Sequence, residues 1–137
     1  MAGELKSEGL NVAIKAHGFQ ERYIREKDVY ERLLAAKVCV VEGFEVPQLL
    51  GFDDLLKVIE MTIVSRPFVL DFASAHLDVR PAFTDEIWEQ WEIEKREQFE
   101  ERWPTVQAIM DAFEELGIYL TDVTPNNIGF VLDGENF

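Results

Sequence analysis

The polar residues whose types and spacing best suit catalysis lie near the C-terminal end, in the run Asp122-Val123-Thr124-Pro125-Asn126-Asn127. Asp122 follows one apolar stretch, and Asn127 comes five residues later, ahead of a second. Phosphoryl-transfer loops have this arrangement: the carboxylate accepts a proton from the nucleophile, and the amide helps to hold the nucleotide-bound metal. The spacing by itself is more often that of a self-hydrogen-bonded turn, because Asp, Pro and Asn are common loop residues.

Two further charged residues occupy positions where apolar side chains are expected. Lys15 lies in the strand-like run 10–16, and Glu26 projects from the apolar side of a predicted helix, between Tyr23 and Tyr30. An inward carboxylate is costly unless it is paired. We therefore expect an ion pair between Lys15 and Glu26. The alternative is that Lys15 reaches solvent from a sheet edge while Glu26 borders the core.

The elements that must position these residues are a mixture of strands and helices. Helical periodicity predicts a helix over 19–37, Thr84 is suited to cap a long acidic helix, and Gly117 stands where a left-handed C-cap belongs. A short helix is predicted within 68–77, a loop over 47–54 and a turn at Asp133-Gly134. A hairpin is predicted at the start, in which 3–6 pairs with the strand at 10–16 through a turn at 7–9. Runs rich in β-formers predict strands at 10–16, 38–41, 58–64, 118–120 and 128–132.

The composition limits the classes of protein to which this chain can belong. Its 137 residues carry 13 Lys plus Arg against 27 Asp plus Glu, a net charge of −14, and 47% are hydrophobic. This predicts one globular domain that is a poor partner for nucleic acid or anionic membranes. Without a membrane-length apolar run or a secretory signal, a cytoplasmic protein is expected. The single cysteine, Cys39, permits no internal disulfide and is predicted to be a buried apolar residue.

The order of these features resembles that of the protein-kinase-like superfamily. Val12-Ala13-Ile14-Lys15 is similar to the Val-Ala-Ile-Lys strand of protein kinases, and residues 25–33 are similar to their αC helix, with Glu26 as its glutamate. Residues 58–62 resemble the strand-to-hinge segment, and 109–127 resemble the helix and catalytic loop. The resemblance implies an α+β, protein-kinase-like fold. A small N-terminal antiparallel sheet with a C-like helix would occupy 1–64, and a mainly helical part with a catalytic-loop-like hairpin would occupy 65–137.

The resemblance also implies ATP and Mg²⁺ as cofactors and assigns roles to matching residues. Lys15 would hold the α- and β-phosphates, with Glu26 fixing its ammonium group. Asp122 would be the catalytic aspartate, and Asn127 would be a magnesium ligand. Backbone groups near Glu60 and Thr62 would bind the adenine, and Ile59 on the same strand would lie behind the adenine ring.

Three departures from the family limit what the resemblance implies. No glycine-rich phosphate loop is found before Lys15, and Thr124 stands where protein kinases often have Lys. The metal-binding Asp-Phe-Gly is expected after the strand that follows Asp133-Gly134, beyond Phe137. Loss of the metal aspartate would lower the rate of phosphoryl transfer by orders of magnitude. We therefore expect either a phosphotransferase relative with weak or lost catalysis or a non-catalytic, pseudokinase-like protein-interaction module.

Trp88, Trp91 and Trp103 are candidates for a partner-binding face in the acidic helical region. Tryptophans anchor many protein interfaces. The alternative, which is the more common role for tryptophans at helical spacing, is that they pack into the core.

Overall fold

The computed structural model describes residues 12–132. The first half of this part contains β1 (Val12–Ala16), α1 (Gln20–Ala35), β2 (Val40–Val41), β3 (Phe44–Glu45), β4 (Leu49–Asp53) and β5 (Val58–Thr62). The second half contains β6 (Phe68–Val69), β7 (His76–Leu77), α2 (Asp85–Phe99), a 3-10 turn (Glu100–Arg102), α3 (Trp103–Glu115), β8 (Ile118–Tyr119) and β9 (Ile128–Gly129). The architecture is mixed α+β, as predicted. The first arm and the turn of the predicted N-terminal hairpin, 3–9, and the turn at Asp133-Gly134 lie outside the described residues.

A three-stranded antiparallel sheet with the order β1-β5-β4 forms the N-terminal part, and α1 packs against it. Lys15 of β1 pairs with Ile59 of β5. The predicted strand at β5 and the predicted helix α1 are both confirmed. The loop predicted over 47–54 is wrong, because β4 pairs with β5 along most of that range, with a register irregularity at Gly51. The strand was missed because apolar and polar residues do not alternate clearly in this run and because a glycine inside it weakens the strand pattern.

A second sheet has the order β2-β3-β6-β9, with β3 and β6 parallel and the other neighbours antiparallel. The short helix predicted within 68–77 is wrong, because this range contains β6 and β7 instead. Asp71, between the two strands, has a φ of 67°. This left-handed conformation cannot continue a right-handed helix.

The acidic helix α2 begins directly after Thr84, as predicted, and the helix α3 ends shortly before Gly117. The Thr84 hydroxyl accepts a hydrogen bond from the Ile87 N–H, which caps α2, and Pro104 lies in the first turn of α3. Gly117 has the expected left-handed φ, 77°. The hairpin predicted around the 121–127 loop is wrong, because β8 pairs with β7 and β9 pairs with β6. The loop therefore connects two different sheets.

One hydrophobic core joins the two parts of the fold. Tyr30 of α1, Phe72 after β6 and Phe113 of α3 are fully buried and form consecutive ring contacts. The prediction for Cys39 is wrong: it is exposed, since it precedes β2 and the first inward-facing residue of that strand is Val41. The core places the helix that carries Glu26 directly against the segment that follows β6.

Candidate functional site

The ion pair predicted between Lys15 and Glu26 is confirmed. Lys15 lies on the central part of β1, and its Nζ is 3.0 Å from Glu26 Oε1 and 3.2 Å from Oε2. The Glu26 side chain is fully buried, whereas 36% of the Lys15 side chain is exposed. The two residues are eleven positions apart and belong to different elements, so the pair ties α1 to the sheet.

Two more groups lie close to the Glu26 carboxylate besides Lys15. His17 Nε2 lies 2.9 Å from Oε1, and the backbone N–H of Phe72 donates to Oε2 at 2.8 Å. A carboxylate that is removed from water needs such partners on both oxygens. Glu26 therefore connects β1, α1 and the segment after β6, and its orientation is fixed.

Asp71 completes the cluster, and sequence reasoning missed it. Its Oδ1 lies 3.2 Å from Lys15 Nζ, so the ammonium group is shared between Glu26 and Asp71. In contrast to Glu26, 28% of the Asp71 side chain is exposed. The available signal was an aspartate directly after the apolar run 68–70, which the helix prediction for this range obscured. Lys15 and Asp71 together present one positive and one negative group to solvent.

The segment around Asp71 also contacts the 121–127 loop. β6 pairs with β9, the Leu70 N–H donates to the Asn127 carbonyl at 2.7 Å, and the Thr121 hydroxyl donates to the Ser74 carbonyl at 2.7 Å. These bonds involve Leu70, directly before Asp71, and Ser74, three residues after it. Hydrogen bonds thus connect the 121–127 loop to the segment that carries Asp71.

Within the loop, Asp122 and Asn127 are joined as one unit. The Asn127 side-chain N–H donates to the Asp122 carbonyl at 3.0 Å, and the N–H groups of Asn127 and Ile128 both donate to the Thr124 carbonyl. The side chains of Asp122 and Asn127 are half-buried. Because the amide nitrogen is used in this bond, the amide is held in a fixed orientation, and its oxygen has the chemistry of a Mg²⁺ ligand.

The strand β5 holds the three residues predicted to meet an adenine. Ile59 and Glu60 are fully buried, and Thr62 is half-buried at the end of the strand. The Thr62 N–H donates to the Gln48 carbonyl, and its hydroxyl accepts from the Gln48 N–H. Ile59 lies directly opposite Lys15 on β1, so this strand borders the Lys15 cluster.

Two pKa shifts record the electrostatics around the cluster and the loop. Burial raises the pKa of the Tyr30 phenol well above its usual value, and the nearby carboxylates of Glu26 and Asp71 raise it further. Burial lowers the pKa of Lys95 on α2, and the opposing effect of the Asp122 charge shows that Lys95 lies near the loop. Tyr30 therefore stays neutral at neutral pH.

Polar contacts at both ends of α1 join this helix to neighbouring segments. Near its start, the Tyr23 hydroxyl and the Lys27 ammonium both donate to Asp54 Oδ1, at 2.6 and 3.0 Å. Near its end, Arg32 forms two hydrogen bonds to the Asp78 carboxylate, at 2.7 and 3.0 Å. The Arg32 guanidinium also reaches the carbonyls after α3.

The three tryptophans line a cleft between α2 and α3. Trp91 packs edge-on against both Trp88 and Trp103, with ring centroids 5.9 and 6.2 Å apart. Trp103 is buried, whereas Trp88 and Trp91 are half-buried. Core packing thus accounts for one tryptophan and only partly for the other two.

The residues around Lys15 have a donor set that fits a phosphate-bound magnesium ion. Mg²⁺ is usually held by one or two carboxylates together with phosphate oxygens and water. The partly exposed Asp71 carboxylate is an oxygen donor of the kind that Mg²⁺ accepts, and it lies 3.2 Å from the Lys15 ammonium. Within residues 12–132, no group of three or more His, Cys, Asp or Glu side chains is arranged to hold a metal by protein ligands alone.

No helix in the described part of the chain combines the length and the apolar composition needed to cross a membrane.

Comparisons with protein-family models, with curated proteins and with solved structures each gave no match to this chain.

Proposed function

We propose that this chain is a kinase-like protein, related to the ATP-dependent phosphotransferases, that binds ATP with Mg²⁺ at the Lys15 cluster. The observation that carries the proposal is the half-exposed Lys15 ammonium, shared between a buried carboxylate at 3.0 Å and a half-exposed one at 3.2 Å. Glu26 orients the ammonium for phosphate oxygens, and Asp71 would hold the metal that accompanies them.

The local sequence around Asp71 supports this role. Asp71-Phe72-Ala73 differs by one residue from the Asp-Phe-Gly triplet whose aspartate holds magnesium in protein kinases. In those kinases the triplet follows the catalytic loop in sequence, whereas here it precedes the loop. The pairing of β6 with β9 nevertheless brings the triplet to the Asp122–Asn127 loop in space. The metal aspartate expected beyond Phe137 thus has a candidate within the chain.

The loop supplies the residues for transfer of the γ-phosphoryl group. Asp122 would accept the proton of the acceptor hydroxyl while the hydroxyl oxygen bonds to the γ-phosphorus. The bond between the γ-phosphorus and the bridging oxygen would break, and ADP would leave with its electrons. Asn127, fixed by its bond to the Asp122 carbonyl, would contribute a second oxygen ligand. Because Thr124 replaces the lysine that kinases often have in this loop, transfer should be slow.

Thermal denaturation with and without ATP and Mg²⁺ tests nucleotide binding. At a nucleotide concentration ten times the dissociation constant, the expected stabilisation is about 1.4 kcal/mol, or a rise in melting temperature of about 5 °C for a chain of this length. Lys15→Met should abolish the rise. Asp71→Asn should remove the part of the rise that depends on Mg²⁺.

Lys27→Met is a matched control for these variants. It also breaks a lysine–aspartate pair on the N-terminal part of the fold, the 3.0 Å contact with Asp54, and within residues 12–132 Lys27 forms no salt bridge with Glu26 or Asp71. Its ATP-dependent rise should equal that of the wild type. Absence of any rise in the wild type at millimolar ATP and Mg²⁺ would contradict the proposal.

A second candidate function is that of a non-catalytic, pseudokinase-like protein-interaction module. The observation that favours it is the cleft lined by Trp88, Trp91 and Trp103, which core packing does not fully account for. This candidate predicts protein binding that is insensitive to ATP and to Lys15→Met. The thermal experiment separates the two functions, because only the first requires nucleotide-dependent stabilisation.

A further inference from the structure

The cleft between α2 and α3 is large enough to accept a side chain from another molecule. Its volume is about 500 Å³, and its walls include all three tryptophans of the chain together with Tyr119. A cavity of this size falls within the range of ordinary ligand pockets. The indole faces give it an aromatic lining of the kind that attracts cations.

Carboxylates stand beside the aromatic walls. Asp111 and Glu114, one turn apart on α3, line the cleft. Burial raises the pKa of Glu114, the neighbouring Asp111 charge raises it further, and Arg80 acts in the opposite direction. Negative charge is therefore partly desolvated and crowded at this wall. A cation placed there would relieve that repulsion.

Two cationic side chains of the chain itself lie over indole rings of the cleft, and one of them is the Lys95 ammonium, 5.7 Å from the centroid of the Trp91 ring. The Arg80 guanidinium lies 4.3 Å from the centroid of the Trp88 ring, and it is close enough to Glu114 to affect its pKa. A planar guanidinium can stack on an aromatic ring and bind a carboxylate at the same time, whereas an ammonium group cannot stack. Arg80 is exposed, and it covers only one of the three indole groups.

We propose that this cleft binds an arginine side chain of a partner polypeptide. The guanidinium would stack on the tryptophan faces and pair with the carboxylates of Asp111 and Glu114. The net charge of −14 on the chain favours approach of such a basic segment. This proposal is independent of nucleotide binding at Lys15, because the two sites share no residue.

Titration with a short blocked peptide that contains one arginine tests the proposal. The control peptide carries citrulline in its place, which keeps the shape and removes the charge. Intrinsic tryptophan fluorescence is a direct probe, because every tryptophan of the chain lines the cleft. The arginine peptide should change the fluorescence in a saturable way at millimolar concentration or below. The citrulline peptide should bind about tenfold more weakly.

Variants of the cleft give the second part of the test. The double variant Asp111→Asn and Glu114→Gln should weaken binding about fivefold. Glu89→Gln combined with Glu97→Gln removes the same charge from exposed positions of α2 outside the cleft, and should leave the affinity within about a factor of two. Arg80→Gln should tighten binding by about threefold, because it removes the competing guanidinium.

Three results would overturn the proposal. The first is equal binding of the arginine and citrulline peptides, and the second is no fluorescence change with millimolar arginine peptide. The third is an equal loss of affinity in the cleft variant and its charge-matched control. Circular dichroism of each variant shows that it is folded, so a loss of binding can be assigned to the cleft.

Discussion

Replacement of Glu26 by Ala should destabilise the fold far more than its single charge suggests. The substitution removes the acceptor of the buried Phe72 N–H, which costs about 1–3 kcal/mol. Loss of the ion pair with Lys15 adds about 1 kcal/mol, because Lys15 is partly exposed and keeps Asp71 as a partner. The total, about 3 kcal/mol, corresponds to a fall in melting temperature of about 10 °C.

Chemical denaturation followed by circular dichroism measures this change directly. Glu26→Gln should lose only about 1 kcal/mol, because the amide oxygen can still accept the Phe72 N–H. Glu31→Ala, on an exposed position of the same helix, is the control and should change the free energy of unfolding by less than about 0.5 kcal/mol. The reasoning is refuted if Glu26→Ala costs no more than this control.

The remaining predictions concern Asp71 and the contacts that hold α1. Asp71→Asn should cost less than about 1 kcal/mol, because its pair with Lys15 is partly exposed; a loss as large as that of Glu26→Ala in the same denaturation assay would contradict a ligand-facing role. Gly117→Ala should cost about 1–2 kcal/mol by thermal denaturation, because φ is 77° and the added Cβ would lie 2.6 Å from the Asp78 carboxylate. Tyr23→Phe should cost about 1 kcal/mol at pH 6, through loss of the 2.6 Å bond to Asp54. The Tyr23 and Lys27 hydrogen bonds lower the pKa of Asp54 below 3.8, so the stability they provide is present above that pH and is lost as the pH falls through the lower folded-state pKa. The free energies of unfolding of Tyr23→Phe and the wild type should therefore differ less in acid than at pH 6. A difference that stays constant between about pH 6 and about pH 2 would contradict this assignment.

The features that sequence reasoning predicted correctly depend on local patterns. The helix α1 has a long apolar stripe without Gly or Pro, and Thr84 and Gly117 are suited to the ends of helices. The Lys15–Glu26 pair was also predictable, because each charge stood out against an apolar local pattern. These signals lie within a single element or between two adjacent ones.

The features that could not be predicted from the sequence depend on contacts between distant parts of the chain. β6 and β9 are two residues long, which is too short for alternation to be recognised, and their paired residues are about 60 positions apart. Asp71 is 56 positions from Lys15, and only this pairing, with the buried contact from Phe72 to Glu26, brings it there. Its left-handed backbone also runs against the helix-forming composition of its neighbours.

The central claim, that Lys15 and Asp71 form a site for ATP and magnesium, is tested most directly by calorimetric titration of ATP with and without Mg²⁺. We predict that the wild type binds ATP in Mg²⁺ and that replacement of Mg²⁺ by a chelator weakens binding at least about tenfold. Asp71→Asn should abolish this difference, and Lys15→Met should abolish binding. No binding of millimolar ATP to the wild type in Mg²⁺, or a full Mg²⁺ effect in Asp71→Asn, would contradict the account.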